Sequence, residues 1–444
     1  MTPQGWYLEN REKRKEVVVV SAVRTAIGAF GGALKDQSAV KLGSLAIREA
    51  LQRAGLRPKP GKEILGYGPD NLKEITAKEI EGRYCDWDSS LREVQIDELI
   101  MGCVLQGGQG QNVARQAAIY AGVPDETPCF TVNKVCASGL KSITLGAEAI
   151  MLGEAETVIA GGMECMSNTP YALPKARWGY RMAASSKAEL IDLMVFDGLW
   201  EVFYGYHMGN TAEEIARQYG FTREEQDEIG FLSHQRACSA IRQGLFQNEI
   251  VPVSLPRKKG PPLIFNKDER PMDTTMEKMA KLSPAFRQDG TVTAGNSSGI
   301  NDAAAALVLM SRGKSDELGI KPMATLRAWA SAGTAPNYMG LGPIPAVRKL
   351  YQKTSLKNSD FDLIELNEAF AAQTLGCMKE LGWNFTQINP HGSGISMGHP
   401  IGCTGARIAV TMLHDMVNRK LHRGLETMCI GGGMGMAAIW ERAD

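Results

Sequence analysis

The chain runs to 444 residues, 44% hydrophobic and 22% charged, with 49 Lys and Arg balanced by 49 Asp and Glu. That is globular composition, long enough for two or three domains or one large duplicated unit. Net neutrality removes the electrostatic argument for nucleic acid or an anionic membrane as the main partner.

No membrane span and no secretory signal is read from the sequence. The expected location is therefore cytoplasmic, with the nine cysteines as thiols rather than disulfides. There is no Cys-x-x-Cys pair and no zinc spacing among the six histidines, so no metal site is expected.

In chain order, Val17–Val23 (VVVVSAV) is a β-branched run without alternation, the pattern of a strand buried on both faces. The Gly-rich RTAIGAFGG of Arg24–Gly32 follows as a loop, and Ala39–Gly55 reads as an amphipathic helix closed by glycine. Ile96–Gly102 and Thr157–Gly162 are further buried strands, with a helix over Leu140–Leu152 between Cys136 and the second of them. Residues 167–296 change character: aromatic YGYHMG (Tyr204–Gly209), a long polar helix at Thr222–Gly244 and RKKGPP (Arg257–Pro262) precede a strand at Ala303–Met310. Long excursions of that kind commonly shape binding sites. Strands alternating with helices predict an α/β sheet with helices on its faces.

The chain also repeats itself. AIREALQRAGL (Ala46–Leu56) matches AVRKLYQKTSL (Ala346–Leu356), and ETVIAGGM (Glu156–Met163) matches ETMCIGGGM (Glu426–Met434), in the same order. Duplicated halves follow. Between helix and strand the second half uses only KNSD, whereas the first uses Arg57–Gln95, a surface insertion with Pro, Gly, Asp and Asn at its turns. The expected organisation is an N-terminal half of residues 15–166 and 297–318 with an insertion at about 57–95, a loop domain of 167–296, and a C-terminal half of 319–444.

Four stretches could carry chemistry. Cys136, in VNKVCASG, stands at a predicted helix start, where the dipole and free N–H groups favour a thiolate. Taken alone, it fits a buried structural cysteine better than a nucleophile. His399 lies in NPHGSGISMGHPIGCTGAR, a Gly-rich loop opening a helix, and is a reasonable general base beside a candidate thiolate. Cys429 precedes three glycines whose N–H groups could bind an oxyanion, or is a small core residue. Asn367 ends the strand FDLIELN, where parallel sheets bind ligands, or caps the helix that follows.

Together VNKVCASG, NEAF, GHPIGCTGAR and CIGGGMG resemble the active-site blocks of the thiolases, and the similarity extends from about Glu16 to Arg442. The resemblance implies the thiolase fold: two βαβαβ-type halves in five α-β-α-β-α layers with an inserted loop domain. It implies a CoA-dependent acyltransferase that condenses or cleaves acyl-CoA thioesters by ping-pong chemistry, with coenzyme A as substrate and no tightly bound cofactor. Position by position it makes Cys136 the acylated nucleophile, His399 its activator, Cys429 the acid/base for the α-proton and Asn367 the holder of an oxyanion-hole water. The N–H groups of Cys136 and Gly431 match a second oxyanion hole, Ser298 a pantetheine contact, and Ala294 and Phe370 the walls of its tunnel.

Tyr171 stands where biosynthetic bacterial members often carry His; a Tyr there is similar to the potassium-activated acetoacetyl-CoA thiolases, which hints at short-chain substrates such as acetoacetyl-CoA. His391 departs from the Asn, Asp or Ser of many members and reads as structural. A homodimer or homotetramer is expected, with acyl-CoA substrates and β-oxidation enzymes as partners. Cys429 and NEAF argue against the related ketoacyl synthases.

Overall fold

The computed structural model describes residues 14–72, 79, 81–180 and 189–443. The leading thirteen residues and part of the 57–95 insertion lie outside the described residues. The first half contains β1 (Val17–Thr25), α1 (Ala39–Arg53), β2 (Glu98–Gly102), α2 (Val113–Tyr120), β3 (Cys129–Val132), α3 (Ser138–Leu152) and β4 (Thr157–Cys165). Then come α4 (Gly209–Tyr219), α5 (Arg223–Arg242) and β5 (Asn301–Ser311). The second half contains β6 (Ala324–Gly333), α6 (Pro343–Thr354), β7 (Leu363–Leu366), α7 (Ala371–Leu381), α8 (Thr404–Arg419), β8 (Arg423–Ile430) and β9 (Met434–Arg442).

Among the described residues the strands follow one hydrogen-bonded path, β7-β8-β9-β6-β1-β5-β4-β2-β3. Its two halves mirror each other across the β1–β6 junction, where Val18 pairs with Thr325 and Val19 with Ala324. The repeats fall on matching elements: ETVIAGGM on β4 and ETMCIGGGM on β8, each flanked by a parallel and an antiparallel neighbour.

The VVVV run lacks alternation because both of its faces are buried. Val17 and Val19 join the core around α3 and α8, whereas Val18 and Val20 join the core under α1 and α2. A third core places Ile364, Leu366, Leu425 and Ile439 against α6 and α7. Stacked, these give five layers: α1/α2, sheet, α3/α8, sheet, α6/α7.

α3 lies in the central layer, packed against α8. Val135–Leu152 is long and apolar enough to span a membrane by length and composition. Its apolar residues are core contacts in the central layer, and its Lys141–Glu148 ion pair is partly exposed.

Leu56–Pro58 and Arg92–Val94 pair across the base of the insertion. Arg48 of α1 donates to Tyr84 O and Asp86 O and lies 4.4 Å from the Trp87 ring centre, and Trp87 Nε1 donates to Gly122 O. Residues 84–87 thus lie against α1 and the turn that follows α2.

Candidate active site

Two helix starts meet at the centre of the molecule. α3 and α8 pack against each other, and they do so through glycine: a Cβ on Gly139 would lie 2.6 Å from Ala406 N, and one on Gly405 2.5 Å from Leu140 N. This close approach joins the segment before α3, which holds Cys136, to the segment before α8, which holds His399.

The turn before α3 is strained. Val135 has φ of 48°, a left-handed value that is a true outlier for a β-branched residue. Asn133 Oδ1 accepts from Val135 N at 2.9 Å, while Ser138 Oγ accepts from Lys134 N and donates to Val135 O. These bonds hold Cys136 in a cluster with Val104, Leu105, Met166 and Ile401.

Cys136 is only 5% exposed. Burial pushes its thiol up to about 11, offset in part by the N–H groups of Gly431 and of Cys136 itself. The helix start therefore does not yield a resting thiolate, contrary to the sequence expectation, because desolvation of a buried anion outweighs the dipole.

His399 is 6% exposed, and burial, with the nearby Arg407 charge, pushes it down to about 3. Its Nδ1 lies 2.7 Å from Thr404 Oγ1, and that hydroxyl donates to Pro400 O at 2.9 Å. With its one proton so placed, Thr404 accepts from Nδ1–H, leaving Nε2 as the bare nitrogen. The His399 N–H donates to Asn301 Oδ1 and Gly299 O. Burial thus disfavours the charged form of both Cys136 and His399.

Cys429, fully buried at the end of β8, has its thiol pushed well above the usual range by burial and then by Cys136 and Cys377. The sulfurs of Cys136 and Cys429 are thus close enough for charge on one to disfavour charge on the other. After Ile430 the chain turns through Gly432 and Gly433, with φ of 81° and 85°. A side chain on Gly431 would collide with Met208 and touch Val135.

Asn367 is fully buried, its N–H bonds Thr427 O, and neither its Oδ1 nor its Nδ2 has a protein partner. The alternative of a helix cap falls away: Phe370 caps α7, and Gln373 Oε1 accepts from Ala369 N.

A cavity of about 490 Å³ is lined by His399, Phe370, Ala294, Ser298, Asn301 and Arg270, among others. Its walls Leu199 and Ile300 also pack against the Cys136 cluster, and Phe370 belongs to the cluster of Cys429. Ser298 N donates to Ala369 O, tying the Ser298 loop to the strand end that carries Asn367.

Tyr171 is not brought to this cavity. It is 60% exposed, in a two-residue strand paired to Asp192. His391 is also elsewhere, with Nε2 2.9 Å from Asp415 and its ring edge on Phe246. Sequence reasoning missed Thr404, Asn301, Arg270 and Glu164. For Glu164, a lone acid inside the apolar strand TVIAGGMEC was the available signal. Among the described residues no group of three or more His, Cys, Asp or Glu is arranged to hold a metal.

Five alternating layers of helix and sheet, with two buried cysteines and a buried histidine at the starts of the central helices and the end of β8, define the class of α/β protein to which the chain belongs. The family model for the thiolase N-terminal domain matches residues 17–65 and 73–313, and that for the thiolase C-terminal domain matches 320–442. The chain belongs to the thiolase family and is a thiolase-type CoA acyltransferase.

It is 51% identical over 429 residues to an acetyl-CoA acetyltransferase of Syntrophomonas wolfei, covering 96% of this chain and 99% of the relative. Identity to an acetyl-CoA acetyltransferase of Cupriavidus necator is 46% over 428 residues, with the same coverage. The crystal structure of the Bacillus anthracis acetyl-CoA acetyltransferase superposes with a TM-score of 0.85 at 41% identity, over 97% of this chain and 99% of that one.

Proposed function

We propose that the protein catalyses the reversible condensation of two acetyl-CoA, or acyl-CoA with acetyl-CoA, to 3-ketoacyl-CoA plus CoA, with acetoacetyl-CoA as the preferred product or thiolysis substrate. The observation that carries this reading is the pair of buried thiols, Cys136 and Cys429, with the Gly431 N–H aimed at the first sulfur.

In the first half-reaction His399 Nε2 takes the Cys136 proton as the sulfur attacks the thioester carbon. Cys429 gives its proton to the departing CoA sulfur, leaving an acyl-Cys136 and a Cys429 thiolate. In the second, that thiolate removes the α-proton of acetyl-CoA. The enolate attacks acyl-Cys136, and the expelled sulfur recovers its proton from His399.

Burial that raises the Cys429 thiol makes its thiolate a stronger base for this carbon acid. Backbone N–H groups of Cys136 and Gly431 serve one oxyanion, and His399 with a water on Asn367 the other, each donor typically worth about 3 kcal/mol in the barrier. Ser298, Ala294 and Phe370 guide the pantetheine arm. The same reading divides the chain into residues 15–166 with 297–318, 167–296 and 319–444. It expects a homodimer or homotetramer, for which β3 stands at the outer edge of the sheet path.

The test is to incubate the protein with [14C]acetyl-CoA, digest it and sequence the labelled peptide, alongside initial rates of acetoacetyl-CoA thiolysis. Label on Cys136 and parallel-line kinetics are expected; label elsewhere, or an active Cys136→Ala variant, overturns the mechanism.

A further inference from the structure

Glu164 is fully buried at the end of β4, and no part of the proposed mechanism uses it. A buried carboxylate needs its lone pairs occupied, and the donors here come from two distant segments. Val104 N donates to Oε2 at 3.0 Å and Leu105 N to Oε1 at 3.1 Å. Gly402 N donates to Oε2 at 2.9 Å, and Cys103 Sγ lies 3.4 Å from Oε1. The first segment, residues 103–105, supplies Val104 and Leu105 to the cluster that holds Cys136. The second, at Gly402, lies three residues from His399. A side chain on Gly402 would sit 2.7 Å from Glu164 Oε2 and 2.8 Å from Cys103 Cα, so the two segments touch directly only because that position is glycine.

Resting on the assignment of Cys136 and His399 as nucleophile and base, we propose that Glu164 is a positioning residue that pins the His399 loop to the wall of the Cys136 pocket and so sets the separation of nucleophile and base. A neutral amide of the same shape cannot do this. It presents N–H groups to backbone N–H groups on one side and leaves at least one amide of the three without an acceptor. Loss of the pin loosens the base relative to the sulfur, and a misplacement of about 1 Å can cost on the order of 100-fold in rate.

The experiment compares Glu164→Gln with the wild type in acetoacetyl-CoA thiolysis and in single-turnover acylation by acetyl-CoA, with thermal melting in parallel. The expected result is a fall in kcat and in the acylation rate of about 10-fold or more, with the KM for CoA changed by less than about threefold. A kcat within about twofold of wild type, or a loss confined to KM or to melting temperature, overturns the proposal. Should Glu164→Gln not fold, hydrogen exchange on the wild-type protein decides. The amides of Val104, Leu105 and Gly402 must then open together with one protection factor; a Gly402 amide exchanging independently and faster overturns the pin. Wild-type protein that shows no thiolysis would instead count against the function proposed above.

Discussion

The two copies of the glycine-ended repeat finish differently. In β4, Gly161 and Gly162 remain in the strand, opposite Ala306 and Ala305 of β5, and lead on to Glu164. In β8 the strand stops at Ile430, and Gly431–Gly433 turn the chain back into β9. The first glycines serve packing: a side chain on Gly161 would strike Ala305 O, and one on Gly162 would strike Gly402 O. The second set serves backbone direction, presenting the Gly431 N–H to the Cys136 sulfur. One duplicated segment thus supplies close packing in one half and a hydrogen-bond donor in the other.

The most severe test removes the sulfur toward which both ends converge. Cys136→Ala should abolish acylation and lower thiolysis by at least ~1,000-fold, measured by acetoacetyl-CoA cleavage. Next, Gly431→Ala should lower kcat by about 100-fold with a modest change in melting temperature, because it displaces the oxyanion donor against Met208. Its counterpart Gly161→Ala should instead lower the melting temperature or prevent folding, without a selective effect on kcat in whatever protein folds. If the two variants behave alike, the distinction between packing and donor glycines fails.

The first acid of the repeat gives a subtler contrast. Glu426 is buried beside Trp440, and burial pushes it up to about 8. Its folded form therefore keeps a proton that the unfolded chain releases, so its contribution to stability is complete below about pH 4.5 and is lost as the pH rises through about 8. At Glu156, desolvation is the largest single influence, but bonds from Lys15 and Ser311 and the charges of Lys15 and Lys314 together overcome it, and the carboxyl is held down. Its contribution is present above about pH 4.5 and lost as the pH falls. Melting temperatures of Glu426→Gln and Glu156→Gln across pH 4 to 9 should depart from wild type in opposite senses. The smallest effect belongs to Tyr171→Phe, which should leave thiolysis within about twofold of wild type because the ring lies outside the cavity.

Much of the architecture was legible because the repeats and the unalternating valines report topology and two-sided burial directly. Cys136, His399, Cys429 and Asn367 were legible as blocks, each set in glycine or at a strand end. What the sequence could not weigh was the balance of fields at Cys136, since a helix start is visible in one dimension and desolvation is not. The partners of Glu164 and Thr404 were illegible for a related reason, even though Glu164 stood out as a lone acid in an apolar strand. They lie at Gly402, 238 residues away, and at His399, where only geometry assigns the tautomer. Tyr171 is exposed and lies outside the cavity that holds His399, a placement which a motif does not record.

The glycine-to-glycine crossing of α3 and α8 has a consequence for how the molecule comes into being. Cys136 sits ahead of one helix and His399 ahead of the other, so on the proposed mechanism neither half of the chain holds a working centre. The contact that unites them joins Gly139 to Ala406, and contacts of such long range slow folding because loop closure must precede them. Catalytic competence should accordingly be among the last properties to return on refolding, trailing helix content and compactness, so that turnover reports the completion of the fold.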